Sequence, residues 1–145
     1  MARALAAGDV RLLREEAVAL KTPYGELNLI GLDYRDSGFV SADRRVRSLL
    51  RKNTVNLLLS HTPDVFPDLP ADVGLTLAGH THGGQLRLPF YGSLLQFSRY
   101  GKRYLYGQIS VGGKQLVVTG GLGGSLNIRF NMPPEIVFIR LRVAK

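Results

Sequence analysis

The stretch that decides the fold is TVNLLLSHTPD at residues 54–64, followed by VGLTLAGHTHGGQ at residues 73–85. Each begins as a short, almost continuously apolar run, which is typical of a strand buried on both faces of a parallel sheet. Each then breaks into glycine and polar residues that favour a loop. The two segments predict parallel strands, with one or two helical turns over residues 63–70 between them.

Other segments predict the remainder of a mixed sheet. Residues 16–21 and 27–32 predict a hairpin that turns at Pro23-Tyr24-Gly25. Ser41 is the expected N-cap of a helix that ends near Lys52. Further predicted elements are a helix over 2–7 closed by Gly8, a loop over 31–38, strands over 104–111 and 114–119 around Gly112-Gly113, and a final strand over 135–143. The predicted fold class is α/β, of the α+β kind, with a mixed sheet ending in antiparallel hairpins.

The composition is that of a globular chain with a preference for anions. The 145 residues are 45% hydrophobic and 21% charged, a balance that argues against a disordered chain. Because cysteine is absent, disulfides and thiolate metal sites are excluded, and any metal needs imidazole and oxygen ligands. The net charge of +8 favours phosphate esters, nucleic acid or an acidic membrane surface as partners.

No segment of the sequence is long and apolar enough for a membrane span, which needs about 18 consecutive apolar residues. The apolar run within residues 1–8 is also too short for a signal peptide. The location expected from these features is the cytoplasm or the periphery of the cytoplasmic membrane.

The chain has three histidines, and each follows a predicted buried strand. His61 follows the first strand, and His80 and His82 follow the second. Ligands gather at the carboxyl ends of strands in open α/β sheets. Residues two apart in an extended backbone project to the same side, so His80 and His82 are expected to face one cavity. Imidazole with oxygen suits zinc, manganese or iron, and placement alone permits either one zinc or a two-metal centre.

The two histidine segments, LSHTPD at 59–64 and GHTHGGQ at 79–85, closely resemble the last two motifs of the calcineurin-like metallophosphoesterases. Further segments are similar to the bacterial branch that acts on lipid-precursor phosphoesters: LP at 88–89, SRYG at 98–101, GGLG at 120–123 and PPE at 133–135. The resemblance covers residues 12–142. It implies the C-terminal half of a four-layer αββα sandwich.

The same resemblance implies a phosphoesterase that uses two divalent ions of the manganese, iron or zinc class. His61 and His80 would bind one ion and His82 the other, with a bridging hydroxide that attacks phosphorus. The matched motifs imply no catalytic residue beyond these ligands and assign no substrate-binding residue. The implied substrate is a phosphomonoester or phosphodiester, such as a lipid-linked or nucleotide-sugar precursor.

The sequence departs from the family pattern in the motifs that precede these segments. The family also uses an Asp-x-His pair, a Gly-Asp motif that bridges both ions, and an Asn-His pair. This sequence contains no Asp-x-His and no Asn-His, and its one Gly-Asp pair, Gly8-Asp9, aligns better with a later segment of the family. The simplest account is truncation: residues 1–145 are expected to be one partial domain that lacks the N-terminal metal-binding motifs, with an N-terminal half from another chain as the alternative. Alone, it is expected to be poorly stable, weakly metal-binding and inactive.

A second hypothesis is a non-catalytic module. Residues 87–106 interleave aromatic and basic side chains, as a site for an anionic lipid surface or nucleic acid requires. Ordinary strand aromatics with a charged outer face explain the same pattern, and specific nucleic-acid recognition is not expected. Asp64 is expected to begin a helical turn, with orientation of His61 as the alternative. Arg129 is expected on the surface, with a phosphate contact as the alternative.

Overall fold

The computed structural model describes residues 8, 10–34, 41–95, 97–125 and 127–142. The elements in chain order are strands β1 (Glu16–Thr22) and β2 (Gly25–Gly31), helix α1 (Ala42–Arg47), strand β3 (Val55–Ser60), the 3₁₀ helix Pro63–Asp68, strand β4 (Val73–Ala78), the 3₁₀ turn His82–Gly84, and strands β5 (Arg87–Leu88), β6 (Gly92–Ser93), β7 (Gly107–Val111) and β8 (Lys114–Val118).

Six of these strands form one mixed sheet in the order β1-β2-β3-β4-β8-β7, and β5 pairs with β6 in a separate hairpin. Strands β2, β3, β4 and β8 run parallel, whereas β1 and β7 join the two edges as antiparallel hairpins. The predicted fold class is confirmed, and so are the two adjacent parallel strands on either side of the 3₁₀ helix. None of the helices that the structure describes is long and apolar enough to cross a membrane.

One face of the sheet holds the core. Ile30, Leu58 and Leu116 are fully buried on this face, and they cluster with Val46 of α1 and Phe66 of the 3₁₀ helix. Burial beneath these two helical segments accounts for the alternate strand positions that face the core, such as Ile30, Leu58 and Leu116.

The opposite face of the sheet is apolar but only partly covered. Leu29, Leu59 and Leu77 line an open groove of about 550 Å³ there, which extends to His61. Leu20, at the edge of the same groove, is 42% exposed. An αββα sandwich packs its second sheet against such a face, and the partial domain that the motifs imply stays a prediction.

Helix α1 begins as predicted but ends early. Ser41 caps it by accepting a hydrogen bond from the backbone N–H of Arg44, and the helix ends at Arg47 rather than near Lys52. Two buried asparagines explain the difference, because they bind main-chain groups that a longer helix would use. Asn28 Nδ2 donates to the carbonyl of Leu49 at 2.9 Å, and Asn56 Oδ1 accepts from the N–H of Arg51 at 3.0 Å.

Asn56 also joins the segments that enter β3 and β4. Its Oδ1 accepts from Asn28 Nδ2 at 2.7 Å. Its Nδ2 donates to the carbonyls of Arg51, Thr54 and Asp72 at 3.1–3.2 Å. One buried side chain therefore satisfies main-chain groups on both sides of β3.

The predicted strand over 135–143 was wrong over residues 135–142, which pair with no strand in the described part of the chain. Alternating apolar residues supply the period of a strand, but a strand also needs a ladder partner. Ile136 and Phe138 are 69% and 94% exposed. The segment is held at its start, where the N–H of Glu135 donates to the carbonyl of Gly121 at 3.1 Å.

Two smaller differences concern boundaries. Strand β7 starts at Gly107 rather than at residue 104, because Tyr104 is buried in the core and Gly107 has a φ of 86° that breaks the extended backbone. The predicted helix over 2–7 lies outside the described residues, as do positions 35–38 of the predicted loop.

Replacing Asn56 with alanine is expected to lower the free energy of unfolding by about 3 kcal/mol, because it leaves several buried main-chain groups without partners. Urea unfolding followed by circular dichroism measures the change. The control is Gln108→Ala, an exposed strand position whose amide pairs with Gln115, where the expected loss is below about 0.5 kcal/mol. Equal losses in the two variants would contradict the role given to Asn56.

Candidate metal centre

The three histidines lie at the carboxyl edge of the sheet, as predicted. His61 follows β3 and His80 follows β4, and these strands are parallel neighbours that pair Ser60 with Ala78. The N–H of Gly79 donates to the carbonyl of His61 at 3.1 Å, which continues the contact beyond the strands. The register of the sheet therefore brings the His61 and His80 backbones together.

The side chains of His61 and His80 converge. His61 Nε2 lies 2.9 Å from His80 Nδ1, and the ring centroids are 4.7 Å apart. Two nitrogens at this separation, each about 2.1 Å from a shared ion, subtend an angle of about 90°, which a divalent metal accepts. The pair fits part of a metal site.

The described residues do not provide a complete site. Among them, no three histidine, aspartate or glutamate side chains come together closely enough to hold an ion. The sequence has no acidic residue between Asp72 and Glu135. Asp64 and Glu135, the acidic residues discussed below, are engaged in other contacts. What the structure supports directly is an imidazole pair without a carboxylate.

His80 and His82 reach the site by a backbone that the sequence analysis did not predict. Their φ angles are 69° and 50°, so both residues are left-handed rather than extended, and Gln85 follows with a φ of 53°. Such angles are costly for residues with a side chain and are concentrated at functional sites. The extended backbone expected for His80 and His82 was therefore wrong, and that the two side chains face one cavity stays a prediction.

Two glycines make this tight turn possible. Gly83 and Gly84 have φ angles of 63° and 80°, and a Cβ at Gly84 would lie 2.0 Å from Ser93 Oγ. At Gly83 a Cβ would lie 2.6 Å from the Met132 side chain. The 3₁₀ turn His82–Gly84 is thus packed between the β5–β6 hairpin and Met132.

The His82 ring lies beside the loop that follows β8. The backbone of Gly120 is close enough to raise the pKa of the ring, and the ring centroid lies 6.2 Å from that of Phe97 in an edge-on contact. The ring is therefore packed between this loop and Phe97.

Arg129 fastens the same loop. Its guanidinium donates to the carbonyls of Gly120 at 2.8 Å and Gly121 at 3.2 Å, and also to that of Gly123. A further bond reaches the carbonyl of Met132 at 3.3 Å. Arg129 is partly exposed, which does not contradict the expected surface position, but the bonds by which it closes the loop beside His82 carried no signal in the sequence.

Glu135 supports the loop from its other side. Its Oε1 accepts from the N–H of Gly120 at 2.8 Å and from Thr119 Oγ1 at 3.0 Å. Its Oε2 accepts from the Tyr106 hydroxyl at 2.6 Å, and this bond holds the pKa of the Glu135 carboxyl below its usual range. The carboxylate is thereby committed to the loop.

Asp64 also has a role that sequence reasoning missed. Asp64 lies in the first turn of the 3₁₀ helix, as expected, and the side chain of Thr62 caps that helix. The buried Asp64 carboxylate accepts from Ser98 Oγ at 2.5 Å and from the N–H of Arg99 at 3.0 Å. It thus ties the 3₁₀ helix to the turn that follows Phe97, the residue in contact with His82.

Two other side chains near the histidines make contacts that the sequence analysis did not predict. The Tyr34 ring packs edge-on against His61, with centroids 4.8 Å apart, and lies 5.6 Å from the His80 ring. Gln85 is fully buried; its Nε2 donates to the carbonyl of Ile128 at 2.8 Å, and its Oε1 accepts from the N–H of Ser125 at 3.1 Å. A period-based analysis cannot identify such contacts, because their partners are distant in sequence.

Electrostatics favour neutral imidazoles in this centre. Burial lowers the pKa of His61, and the nearby His80 and His82 rings lower it further. Burial also lowers the pKa of His82, and Arg129 adds to that effect, whereas the nearby Gly120 backbone opposes it. A neutral ring is the form that binds a metal.

Curated relatives match most of this chain. It is 41% identical to the uncharacterized metallophosphoesterase YkuE of Bacillus subtilis over 99 residues, which are 66% of this chain and 34% of that protein. It is 31% identical to the phosphodiesterase YaeI of Escherichia coli over 140 residues, which are 94% of this chain and 49% of that protein. The chain is a metallophosphoesterase-like region.

The resemblance indicated by the histidine motifs is thereby confirmed. A third relative, the uncharacterized metallophosphoesterase YkoQ of Bacillus subtilis, is 29% identical over 129 residues. The metallophosphoesterase-like region spans about a third to a half of the length of these relatives. No family model and no solved structure matches the chain.

In chelator, the His61 and His82 rings are expected to titrate below the ordinary histidine pKa of about 6.5. Below that pH the unfolded chain binds protons that the folded chain does not, so the free energy of unfolding should fall as the pH falls. Proton NMR of the rings, assigned with single His→Gln variants, measures the titration. Midpoints at or above 6.5 would contradict the burial seen for these rings.

The Arg129→Gln variant is expected to lose about 1–3 kcal/mol of stability, because the loop carbonyls lose their charged donor. The NMR signals of the His82 ring should shift, while those of His61 stay nearly unchanged. Arg140→Gln, at an exposed position, is the matched control and should leave both rings unaffected. Undisturbed His82 signals in Arg129→Gln would show that the loop does not position this ring.

Proposed function

We propose that this region supplies the imidazole ligands of a two-metal centre that hydrolyses a phosphoester. The observation that carries the proposal is the 2.9 Å approach of His61 Nε2 and His80 Nδ1 at the ends of two adjacent parallel strands. His61 and His80 hold one divalent ion of the manganese, iron or zinc class, and His82 holds the second. Two such ions, when bound, lower the pKa of a water molecule and neutralise charge on phosphoryl oxygens.

The surrounding residues of the region prepare the three rings for this task. The Gly120 backbone lies beside the His82 ring, and it is held in place by Arg129, which binds its carbonyl, and by Glu135, which binds its N–H. Tyr34 packs against both His61 and His80 and restricts their rotation. Ligands whose orientation is set before binding hold a metal more tightly than freely rotating ones.

The acidic ligands of the centre come from elsewhere in this proposal. Three neutral imidazoles beside Arg129 leave the charge of two divalent ions uncompensated. Asp64 and Glu135 are committed to Ser98 and Tyr106, respectively. The motifs absent from this sequence, Asp-x-His, Gly-Asp and Asn-His, are the expected source, on a longer polypeptide or on a second chain.

The substrate class is narrowed by charge and by the relatives. The net charge of +8 favours a phosphate ester, and the Escherichia coli relative is named a phosphodiesterase. We therefore place a phosphodiester first, followed by a phosphomonoester. A lipid-linked or nucleotide-sugar precursor met at the cytoplasmic face of a membrane is the proposed physiological form.

The purified 145-residue chain is expected to show no metal-dependent turnover of bis(4-nitrophenyl) phosphate with manganese, iron or zinc, because the centre lacks its carboxylates. Joined to a polypeptide that carries the three absent motifs, it should turn over this diester. His61→Ala, His80→Ala and His82→Ala should each then lower the rate by at least about a hundredfold. Gln108→Ala, far from the histidines in sequence, is the control and should retain full activity.

Two outcomes would overturn parts of this proposal. Turnover by the chain alone that is lost in His82→Ala would show that the carboxylates are not required. Absence of turnover in the complemented protein with all three metals, on both the diester and 4-nitrophenyl phosphate, would remove the phosphoesterase assignment.

A further inference from the structure

The β5–β6 hairpin, which follows the 3₁₀ turn His82–Gly84 (the histidine turn), carries two exposed aromatic side chains. Phe90 is fully exposed and Tyr91 is 77% exposed, and both lie at the tip of the hairpin. Leu88 and Leu94 flank them and are 37% and 56% exposed. Large apolar side chains grouped at a protruding tip have no packing role in the described residues, and such groups mark interaction sites.

Hydrogen bonds hold the tip of this hairpin in place. Lys102 Nζ donates to the carbonyl of Tyr91 at 2.8 Å, and the N–H of Leu94 donates to the carbonyl of Leu86 at 2.9 Å. Ser93 Oγ donates to the carbonyl of Gly84 at 3.0 Å, which anchors the hairpin to the histidine turn. These contacts fix the hairpin to the histidine turn and to Lys102.

The sequence around the tip is basic and contains no acidic residue. From residue 73 to residue 134 there is no Asp or Glu, whereas six Lys and Arg residues are present. Lys102 joins the tip directly to the turn at 98–104. The same turn carries the exposed Arg103 and Arg99, whose side chain is 70% exposed although it pairs with the buried Asp64 at 3.7 Å.

The β1–β2 hairpin provides a contrast. Tyr24 lies at the turn between β1 and β2 and is 86% exposed. The adjacent Glu26 pairs with Arg51 at 2.6 Å, so acidic and basic charges are mixed there. An exposed aromatic residue at a turn of this protein is therefore not always accompanied by basic residues alone.

We propose that the β5–β6 hairpin docks the protein onto an anionic phospholipid surface, with Phe90 and Tyr91 inserted at the level of the headgroups and the basic turn at 98–104 against the phosphates. Aromatic and aliphatic side chains beside Lys and Arg are the pattern of interfacial membrane binding. Leu88 and Leu94 favour a membrane over single-stranded nucleic acid, because aliphatic side chains offer no stacking platform for bases.

The position of the hairpin connects this surface to the metal centre. Leu86 and Arg87 follow directly from the histidine turn, and Ser93 holds the hairpin to Gly84. If the proposed phosphoesterase function holds, docking would present the centre to phosphoesters at the membrane surface. The docking itself does not depend on that function, and its test uses no turnover.

The chain contains no tryptophan, so a single introduced indole reports on its own position. The test uses the full 145-residue protein in chelator with vesicles of phosphatidylglycerol and phosphatidylcholine. The fluorescence of Phe90→Trp is expected to shift to shorter wavelength as vesicles are added, whereas that of the matched control, Tyr24→Trp, is not. Circular dichroism checks that both variants retain the fold.

Vesicle sedimentation measures the affinity. The double variant Phe90→Ala with Tyr91→Ala is expected to bind at least about tenfold more weakly, and each of Arg99→Gln and Arg103→Gln about fivefold more weakly. Raising the salt concentration should weaken binding of the native protein, and pure phosphatidylcholine vesicles should bind poorly.

Three results would overturn the proposal. The first is sedimentation that is unchanged in the double alanine variant. The second is an equal spectral shift at positions 24 and 90. The third is tight binding of a single-stranded oligonucleotide without binding to anionic vesicles, which would assign the basic turn to nucleic acid. None of these results depends on whether the metal centre is active.

Discussion

The parallel pairing of β3 with β4 is the constraint on which the rest of the structure depends. The register sets Leu59 opposite Leu77 and Ser60 opposite Ala78, and the N–H of Gly79 then reaches the carbonyl of His61. A shift of one residue would turn every side chain of a strand to the other face. The buried leucines of the core face prevent that shift, so hydrophobic packing sets the position of the two imidazoles.

The sequence was sufficient to predict the parts of the fold that depend on a local pattern of apolar residues or on a turn sequence. The apolar runs before His61 and His80 predicted two buried strands, and Gly112-Gly113 predicted the β7–β8 hairpin. Periodicity failed over residues 135–142, since it describes one strand and contains no information about a partner. It also failed at α1, where Asn28 and Asn56 bind main-chain groups that a longer helix would have used.

The types of ligand in the candidate site could be predicted from the sequence, but the contacts that hold those ligands in place could not. Three histidines after strands are visible in the sequence, whereas the bond between Asp64 and Ser98 spans 34 positions and that between Gln85 and Ile128 spans 43. The left-handed backbone of His80 and His82 could not be predicted from the sequence either, because histidine also occurs in extended loops. Such angles follow from the packing of Gly83 and Gly84 against Met132 and Ser93, which is a tertiary property.

The loop after β8, which lies beside His82, is held in shape mainly through main-chain atoms. Arg129 binds the carbonyls of Gly120, Gly121 and Gly123, and the exposed side chain of Leu122 takes no part in these bonds. The loop therefore tolerates exchange at Leu122 but not at Gly120, where a Cβ would lie 2.7 Å from the Met132 side chain. A change in the number of residues would break the bonds to Arg129, so natural variation in this segment is expected at Leu122 and not in the length of the loop.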